Sequence, residues 1–275
     1  MKRASIGAAK GLAVAAILVW SLGPILFMLS SSIKPGQDIF ATPPHWVFTP
    51  TFAHYAALVE KWGGFFRGLL NSLIVTVGAT LLAVAVSTLA GFAYSRHRGR
   101  AMSFSALALV AVRLLPPIVI TLPLFPIVNR LGLNDTHLVL ILLYATFYVS
   151  LGALLMRAFI NQIPAELDEA AVMDGAGRVA LLLRIIVPLA APGMLALAVF
   201  VMVYAWNEFL FAFIFTSTHA KTAPLFISEM LGSFDGVDWG VMFAASSLQF
   251  LPVLVFVVAM QKHLVAGLTA GAVKG

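Results

Sequence analysis

Four carboxylates crowd one short segment in the second half of the chain. They are Glu166, Asp168, Glu169 and Asp174. Paired carboxylates act as general acid and base only where a pocket shifts their pKa values apart. Pro164 precedes them and is suited to open a helix, so three of these acids are expected in an exposed first turn, where the helix dipole stabilises negative charge. The segment is therefore not predicted to be catalytic.

Other patterns with recognisable chemistry are missing from the sequence. The chain has no cysteine, and no two of its six histidines are four residues apart, the spacing that puts two metal ligands on one helix face. No G-x-x-x-x-G-K-[S/T] segment occurs that would bind the phosphates of ATP. The sequence predicts no catalytic residue, no metal and no cofactor in this chain.

Two charged residues, Arg113 and Glu208, lie within long apolar stretches. Charge is costly inside a membrane, so such side chains usually face protein, water or a transported solute. Asn207 and Gln249 carry amides that can hydrogen-bond a polyol, although amides commonly join one helix to another. Three interpretations stay open: an Arg113–Glu208 ion pair, a translocation path that includes all four residues, and a contact with a second membrane subunit.

The composition explains why these stretches belong in a membrane. Of the 275 residues, 61% are hydrophobic and 10% are charged, whereas a soluble domain carries about 25% charged residues. Six stretches reach the roughly 20 apolar residues that a membrane helix needs. We predict an all-α polytopic membrane protein with six transmembrane helices in a single domain, residues 1–275. The predicted spans are residues 11–32, 69–94, 101–128, 138–160, 188–215 and 240–261.

The positions of Lys and Arg predict the orientation of these spans. Eleven lie on the side that carries both termini, five lie on the other side, and Arg113 lies within a span. Because positively charged loops stay in the cytoplasm, both termini and the loops at 95–100 and 161–187 are predicted to be cytoplasmic. The net charge of +6 is spread between spans, which argues against a nucleic-acid partner. The outward segments are 33–68, 129–137 and 216–239.

The loop at 161–187 predicts two helices joined at Gly175. The first begins near Pro164 and repeats small residues at helical spacing, and the second is apolar, begins near Arg178 and ends at Pro188. A face of small residues lets another protein approach closely, and the acids can bind basic side chains. This elbow either docks a partner or packs beneath the helical bundle.

The elbow also resembles a known motif. Glu169-Ala170-Ala171 and Asp174-Gly175-Ala176, with Pro188 twelve residues after Ala176, look like the EAA loop of binding-protein-dependent ABC transporter permeases. Val179 and Leu182 stand where aromatic residues are common in that family. The resemblance covers nearly the whole chain. The segment 31–35 and the glycine-rich end at 264–275 are similar to the carbohydrate-importer branch, which includes the six-span maltose/maltodextrin permease subunit.

The resemblance implies a permease subunit of an ATP-driven importer in the inner membrane of a prokaryote. Its expected partners are a second, similar permease, two ATPase subunits that hold ATP and Mg²⁺, and an extracytoplasmic binding protein that delivers a sugar-like solute. The chain itself is expected not to be an enzyme. A coupling helix before the fifth span would bind the ATPase through Glu166, Glu169, Ala170, Ala171, Asp174, Gly175 and Ala176.

Two more segments acquire expected roles from the resemblance. The outward loop 216–239 would contact the binding protein, where the alternative is a solvated turn. The cytoplasmic tail 263–275 would reach the ATPase interface, where the alternative is a disordered end. A different function, a stand-alone secondary transporter driven by an ion gradient, stays possible and would need no ATPase.

Overall fold

The computed structural model describes the backbone of residues 2–234 and 236–270, and the side-chain surroundings of residues 10–234 and 236–260. Over these ranges the secondary structure is helical and contains no strand, which confirms the predicted all-α class. The helices are α1 (Lys2–Ser31), α2 (Ala53–Trp62), α3 (Gly64–Arg96), α4 (Arg100–Leu114), α5 (Pro117–Arg130), α6 (His137–Ile160), α7 (Glu166–Met173), α8 (Arg178–Leu181), α9 (Val187–Trp206), α10 (Leu210–Phe215), α11 (Ala223–Leu231) and α12 (Trp239–Ala270).

Five continuous helices in the described ranges are long and apolar enough to cross a membrane. A sixth crossing exists if the bent pair α4 and α5 counts as one span. These elements overlap all six predicted stretches, as their hydropathy requires. The five continuous helices are Lys10–Ser31, Gly64–Arg96, His137–Ile160, Arg178–Trp206 and Trp239–Met260.

The third predicted span, 101–128, is broken in the structure, as its prolines, which disturb the helical ladder, lead one to expect. The axes of α4 and α5 differ by 97°, and the break falls at Leu115 and Pro116. Leu115 has an extended backbone, with ψ of 130°, because a residue before proline is forced away from helical geometry. Pro116 and Pro117 also lack the N–H groups that would continue the helical ladder. The two prolines explain where the helix breaks, but the sequence alone does not predict the angle of the break.

The second helix of the elbow does not end at Pro188, contrary to the prediction. It continues from α8 through a π-helical segment, Leu182–Ile186, into α9. Proline cannot bond back to the preceding turn, and a wider π turn just before it accommodates that loss without stopping the helix. The fifth predicted span, 188–215, is instead interrupted after Trp206, and α10 follows the interruption.

The last helix, α12, extends to Ala270 and so includes most of the predicted tail 263–275. The rest of that tail lies outside the described residues. By backbone proximity the chain divides into two compact units: residues 1–66 with 226–252, and residues 67–225 with 253–275. A single domain over the whole chain stays a prediction.

In the first unit, Leu58 and Phe65 are fully buried, and the ring of Phe65 meets the edge of Phe226 at 6.5 Å between centroids. In the second unit, small residues let the long helices approach closely. A Cβ atom at Gly91 of α3 would lie only 2.6 Å from the Cβ of Met156 in α6. Such close backbone contact is typical of membrane helices, which associate through packing rather than hydrophobic expulsion from water.

Candidate functional site

Helix α7 forms the first arm of the predicted elbow and ends at Met173, two residues before the predicted bend at Gly175. Gly175 has φ of +81°, a left-handed conformation that glycine adopts without a Cβ penalty. The N–H of Gly175 donates to the carbonyl of Val172 at 3.0 Å, and the N–H of Ala176 donates to that of Ala171 at 2.9 Å. This pair of hydrogen bonds is the Schellman motif, which closes a helix and turns the chain sharply.

One side of α7 packs against the protein and the other is open. Ala171 is 6% exposed, whereas Glu166, Glu169, Ala170 and Asp174 are exposed, and Ala176 is half-buried. Three large apolar side chains are also exposed, Leu167 at 41%, Val172 at 61% and Met173 at 88%. Apolar groups beside carboxylates on a polar loop are typical of a protein contact rather than of a solvated turn.

An arginine at the end of α3 holds α7 in position. Nε of Arg96 donates to Oδ2 of Asp168 at 2.6 Å, and Nη2 donates to Oδ1 at 3.3 Å. The same guanidinium donates to the carbonyls of Ile160 at 3.4 Å and Ile163 at 3.1 Å. Both charged side chains are largely buried, so the pair is well shielded from salt and water. We call this set the Arg96 clamp.

The Arg96 clamp joins three parts of the second unit: the end of α3, the end of α6 and the first turn of α7. Sequence reasoning counted Arg96 only as a cytoplasmic charge and Asp168 only as a dipole partner. The two residues are 72 positions apart, so no local pattern indicates the pairing.

On the predicted outward side, one carboxylate organises a turn. Asp135 lies between α5 and α6 with φ of +58°, and its carboxylate accepts the backbone N–H groups of four consecutive residues at 2.9–3.1 Å. Its own N–H donates to the carbonyl of Phe215 at 2.8 Å. We call the enclosed segment, residues 217–220, the Asp135 turn.

Electrostatics favour the charged form of Asp135. Partial burial alone would raise its pKa, but hydrogen bonds from His219, Ala220, Ser217 and Thr218 outweigh it and hold the pKa well below the usual range. A lowered pKa means that the stabilisation is complete above about pH 4, the ordinary aspartate value, and is lost only as the pH falls through the lower folded-state value.

A second set of polar contacts holds the segment that follows the Asp135 turn. The amide nitrogen of Asn71 donates to the carbonyls of His219 at 2.8 Å and Lys221 at 2.9 Å. Its amide oxygen bonds Nε2 of His137 at 2.8 Å, and the hydroxyl of Ser72 accepts the N–H of Ala223 at 2.9 Å. Polar residues inside an apolar helix are the one sequence feature that could have indicated this arrangement.

Replacing Asp135 by asparagine is expected to loosen the Asp135 turn. An amide offers one acceptor oxygen and has no charge. We therefore expect the free energy of opening of the turn to fall by about 2 kcal/mol, which lowers the protection of its amides roughly thirtyfold. Hydrogen–deuterium exchange of the amides at 217–220 measures this directly. Between pH 5 and pH 8 the wild-type protection, corrected for intrinsic exchange, should stay constant. Asp38→Asn, which removes one contact to His45, is the control, and unchanged exchange in Asp135→Asn would contradict the role.

Within the membrane region, Arg113 and Glu208 form no ion pair among the described residues, although an ion pair is one of the three interpretations left open above. The guanidinium of Arg113 lies over the ring of Phe147, 5.2 Å from its centroid, and Nη1 is buried without a hydrogen-bond partner. The ring of Phe147 packs against that of Phe211, 6.2 Å between centroids, and the backbone N–H of Phe211 donates to the Glu208 carboxylate at 2.9 Å. The two therefore belong to one aromatic-lined cluster without touching each other.

Glu208 and Asn207 occupy the interruption between α9 and α10. The Glu208 carboxylate accepts the N–H groups of Phe211 at 2.9 Å and Ala212 at 3.4 Å, and so caps α10. The amide of Asn207 donates to the carbonyl of Val203 at 2.8 Å, which satisfies the end of α9. The hydroxyl of Tyr144 is buried without a hydrogen-bond partner, and the Tyr144 ring packs against that of Phe211 with 6.1 Å between centroids. Gln249, the fourth predicted path residue, lies on α12 in the other compact unit.

Residues 83–270 match the family described as "Binding-protein-dependent transport system inner membrane component". The chain belongs to this family. The matched range contains the elbow and the Arg96 clamp. This permease is therefore a multi-pass transport subunit of an inner membrane, as the elbow motif predicted.

Proteins of similar sequence and a solved structure of similar fold support the same assignment. The permease is 36% identical to the trehalose transport system permease protein SugB of Mycobacterium tuberculosis over 270 residues, which is 94% of each chain. It is 32% identical to the trehalose/maltose transport system permease protein MalG of Thermococcus litoralis over 256 residues, 92% of each. Its fold is similar to a chain in the crystal structure of a bacterial ABC transporter involved in the import of the acidic polysaccharide alginate, with a TM-score of 0.76, 20% identity and coverage of 95% and 97%.

Proposed function

We propose that this permease is one of two membrane subunits of an ATP-driven importer for a sugar or sugar-like solute. The family description supports a binding-protein-dependent import system. Relatives named for trehalose and maltose transport, and the similar fold of a chain from an alginate importer, support a carbohydrate solute. The elbow at 164–187 is the observation that carries the proposal, since a tethered helix with an exposed apolar face suits a device that receives motion from another protein.

The energy source lies in partner subunits under this proposal. The sequence has no phosphate-binding loop, so two ATPase copies would bind ATP and Mg²⁺, and this chain performs no catalysis. A second, homologous permease and an extracytoplasmic binding protein complete the assembly. The distribution of Lys and Arg supports cytoplasmic termini and a cytoplasmic elbow.

The contact with the ATPase would use the exposed side of α7 and the Schellman turn. Val172 and Met173 supply apolar area, and Glu169 supplies charge for basic side chains of the partner. The tail 263–275 is proposed as a further ATPase contact. The complete set of coupling residues is Glu166, Glu169, Ala170, Ala171, Asp174, Gly175 and Ala176.

The translocation path would run past the aromatic-lined cluster. Arg113 offers an unsatisfied buried N–H to a solute hydroxyl, and Tyr144 offers a buried hydroxyl. Asn207 and Glu208 mark the interruption between α9 and α10, where helical geometry is already broken; Gln249, on α12 in the first unit, stays a predicted path residue. On the outward side, the loop 216–239 would meet the binding protein, with the Asp135 turn fixing its first residues.

Two measurements separate this importer from an ion-driven secondary transporter. Tagged permease, purified in mild detergent, should retain an ATPase subunit and a second permease in a stoichiometric complex. Solute uptake by cells or proteoliposomes should stop when ATP is depleted and should persist when ion gradients are collapsed by ionophores. Uptake by the permease alone, without ATP, would contradict the proposal.

A further inference from the structure

A cavity of about 720 Å³ lies between the ends of α3, α4 and α6 in the second compact unit. Its volume falls within the roughly 300–1,000 Å³ typical of ligand sites. Its described lining residues include three arginines and a histidine and no carboxylate. They are Arg96, His97, Arg98 and Arg157.

The arginines of this cavity differ in how they are neutralised. Arg96 is already bound to Asp168 in the Arg96 clamp. Arg98 and Arg157 are exposed and form no ion pair among the described residues. Two guanidinium groups without acids, facing one cavity, constitute an anion site, because guanidinium binds phosphate through paired hydrogen bonds.

The depth of the cavity indicates the source of the anion. α3 and α6 are membrane-spanning helices that end at Arg96 and Ile160, and α4 begins at Arg100. The cavity therefore lies at the level where phospholipid headgroups begin. Tyr94 also lines it, and tyrosine is enriched at that depth.

Helix α4 continues the cavity into the apolar layer. Ser103 lines the cavity, and residues four, seven and eleven positions further lie on the same face of α4. These residues are apolar and exposed: Leu107 at 65%, Val110 at 42% and Leu114 at 79%. A basic cavity that opens onto an apolar stripe matches a molecule with an anionic head and acyl chains.

We propose that the cavity formed by Arg98, Arg157 and Ser103 binds the phosphate of an anionic phospholipid, with one acyl chain along α4. The site goes beyond the transport function, and neither proposal depends on the other. Its position beside the Arg96 clamp means that the lipid phosphate would lie next to the residue that tethers α7.

Native mass spectrometry of the purified complex tests the site with phosphatidylglycerol and phosphatidylcholine of equal chain length. We expect the wild type to retain phosphatidylglycerol at least about tenfold better than phosphatidylcholine, and Arg98→Gln/Arg157→Gln to lose that preference. Arg98→Lys/Arg157→Lys keeps both charges and should keep much of the preference. Arg67→Gln/Arg130→Gln, which removes two arginines predicted to face outward, is the matched control and should behave as the wild type.

Competition with soluble phosphates and retention of the ATPase subunit distinguish a lipid from other ligands of the cavity. Inorganic phosphate or glycerol phosphate at equal concentration should neither bind with comparable affinity nor displace the lipid, since acyl contacts supply part of the affinity. Displacement by either would assign the site to a soluble phosphate and overturn the lipid proposal. Equal retention of both lipids by the wild type would also overturn it. So would loss of the ATPase subunit from Arg98→Gln/Arg157→Gln with unchanged lipid retention, because the cavity would then bind protein.

Discussion

Replacing Gly175 by aspartate is expected to lower ATP-driven uptake roughly a hundredfold, the effect of about 3 kcal/mol of unpaired charge in a closed protein contact. The permease itself should insert and fold normally. A Cβ atom at Gly175 would meet nothing within 4 Å, so the new side chain has room in the isolated chain. Aspartate also tolerates the left-handed conformation better than most residues. The loss should therefore arise where an ATPase subunit approaches the Schellman turn.

Three companion variants separate the effect of charge from that of backbone strain. Gly175→Asn has the same size and the same tolerance of positive φ but no charge, so it should keep most of the uptake. Gly175→Val adds about 1–2 kcal/mol of backbone strain, whereas Gly177→Val should add little, because Gly177 has an ordinary φ of −70° and equally open surroundings. Uptake rates are compared at matched membrane expression. Full uptake by Gly175→Asp would contradict the coupling role, and equal loss in Gly175→Asn would assign the effect to geometry.

Replacing Arg96 by glutamine is expected to uncouple ATP hydrolysis from transport. Removing one partner of a largely buried charge pair costs about 3 kcal/mol, and the two carbonyls that Arg96 binds would also lose their donor. Helix α7 would remain formed but would no longer be fixed to α3. We expect uptake to fall at least about tenfold while ATPase activity of the complex persists, so more ATP is consumed per solute transported.

The reciprocal variant makes the test specific. Asp168→Asn should reproduce the phenotype, and the double variant Arg96→Gln/Asp168→Asn should be no worse than the more severe single variant, since both remove one interaction. Arg100→Gln, an exposed arginine four residues away, is the control. Normal transport by both single variants would contradict the clamp. Additive losses would show that the two residues act separately.

The membrane helices and the end of α7 could be predicted from hydropathy and local sequence. The membrane helices follow from apolar length, and the end of α7 follows from Gly175, since few other residues adopt positive φ readily. The Asp135 turn was beyond prediction because its donors are backbone N–H groups, which every residue carries. The Arg96 clamp joins distant segments, so only the fold brings its charges together.

The break in the third span and the helix that continues through Pro188 both reflect the context dependence of proline. Pro116 breaks the third span because a second proline follows and Leu115 is driven into an extended conformation. Pro188 does not break its helix, since the π segment before it supplies the extra width that the ring needs. The Arg113–Glu208 ion pair, one of the three interpretations left open, does not form because both side chains have other partners. Glu208 satisfies its oxygens on the backbone of α10, and Arg113 lies over an aromatic ring.

The helix continues from Arg178 through the π segment to Trp206 and so joins the elbow to the interruption at Asn207. Its 29 residues extend about 43 Å at 1.5 Å per residue, so a tilt of roughly ten degrees about its centre would swing each tip by roughly 4 Å in opposite directions. Beyond Trp206, the Asp135 turn anchors the chain. Under the proposed coupling, displacement of the elbow would be transmitted across the bilayer by this helix. It would change the backbone conformation of the two or three residues around Asn207, beside the aromatic-lined cluster.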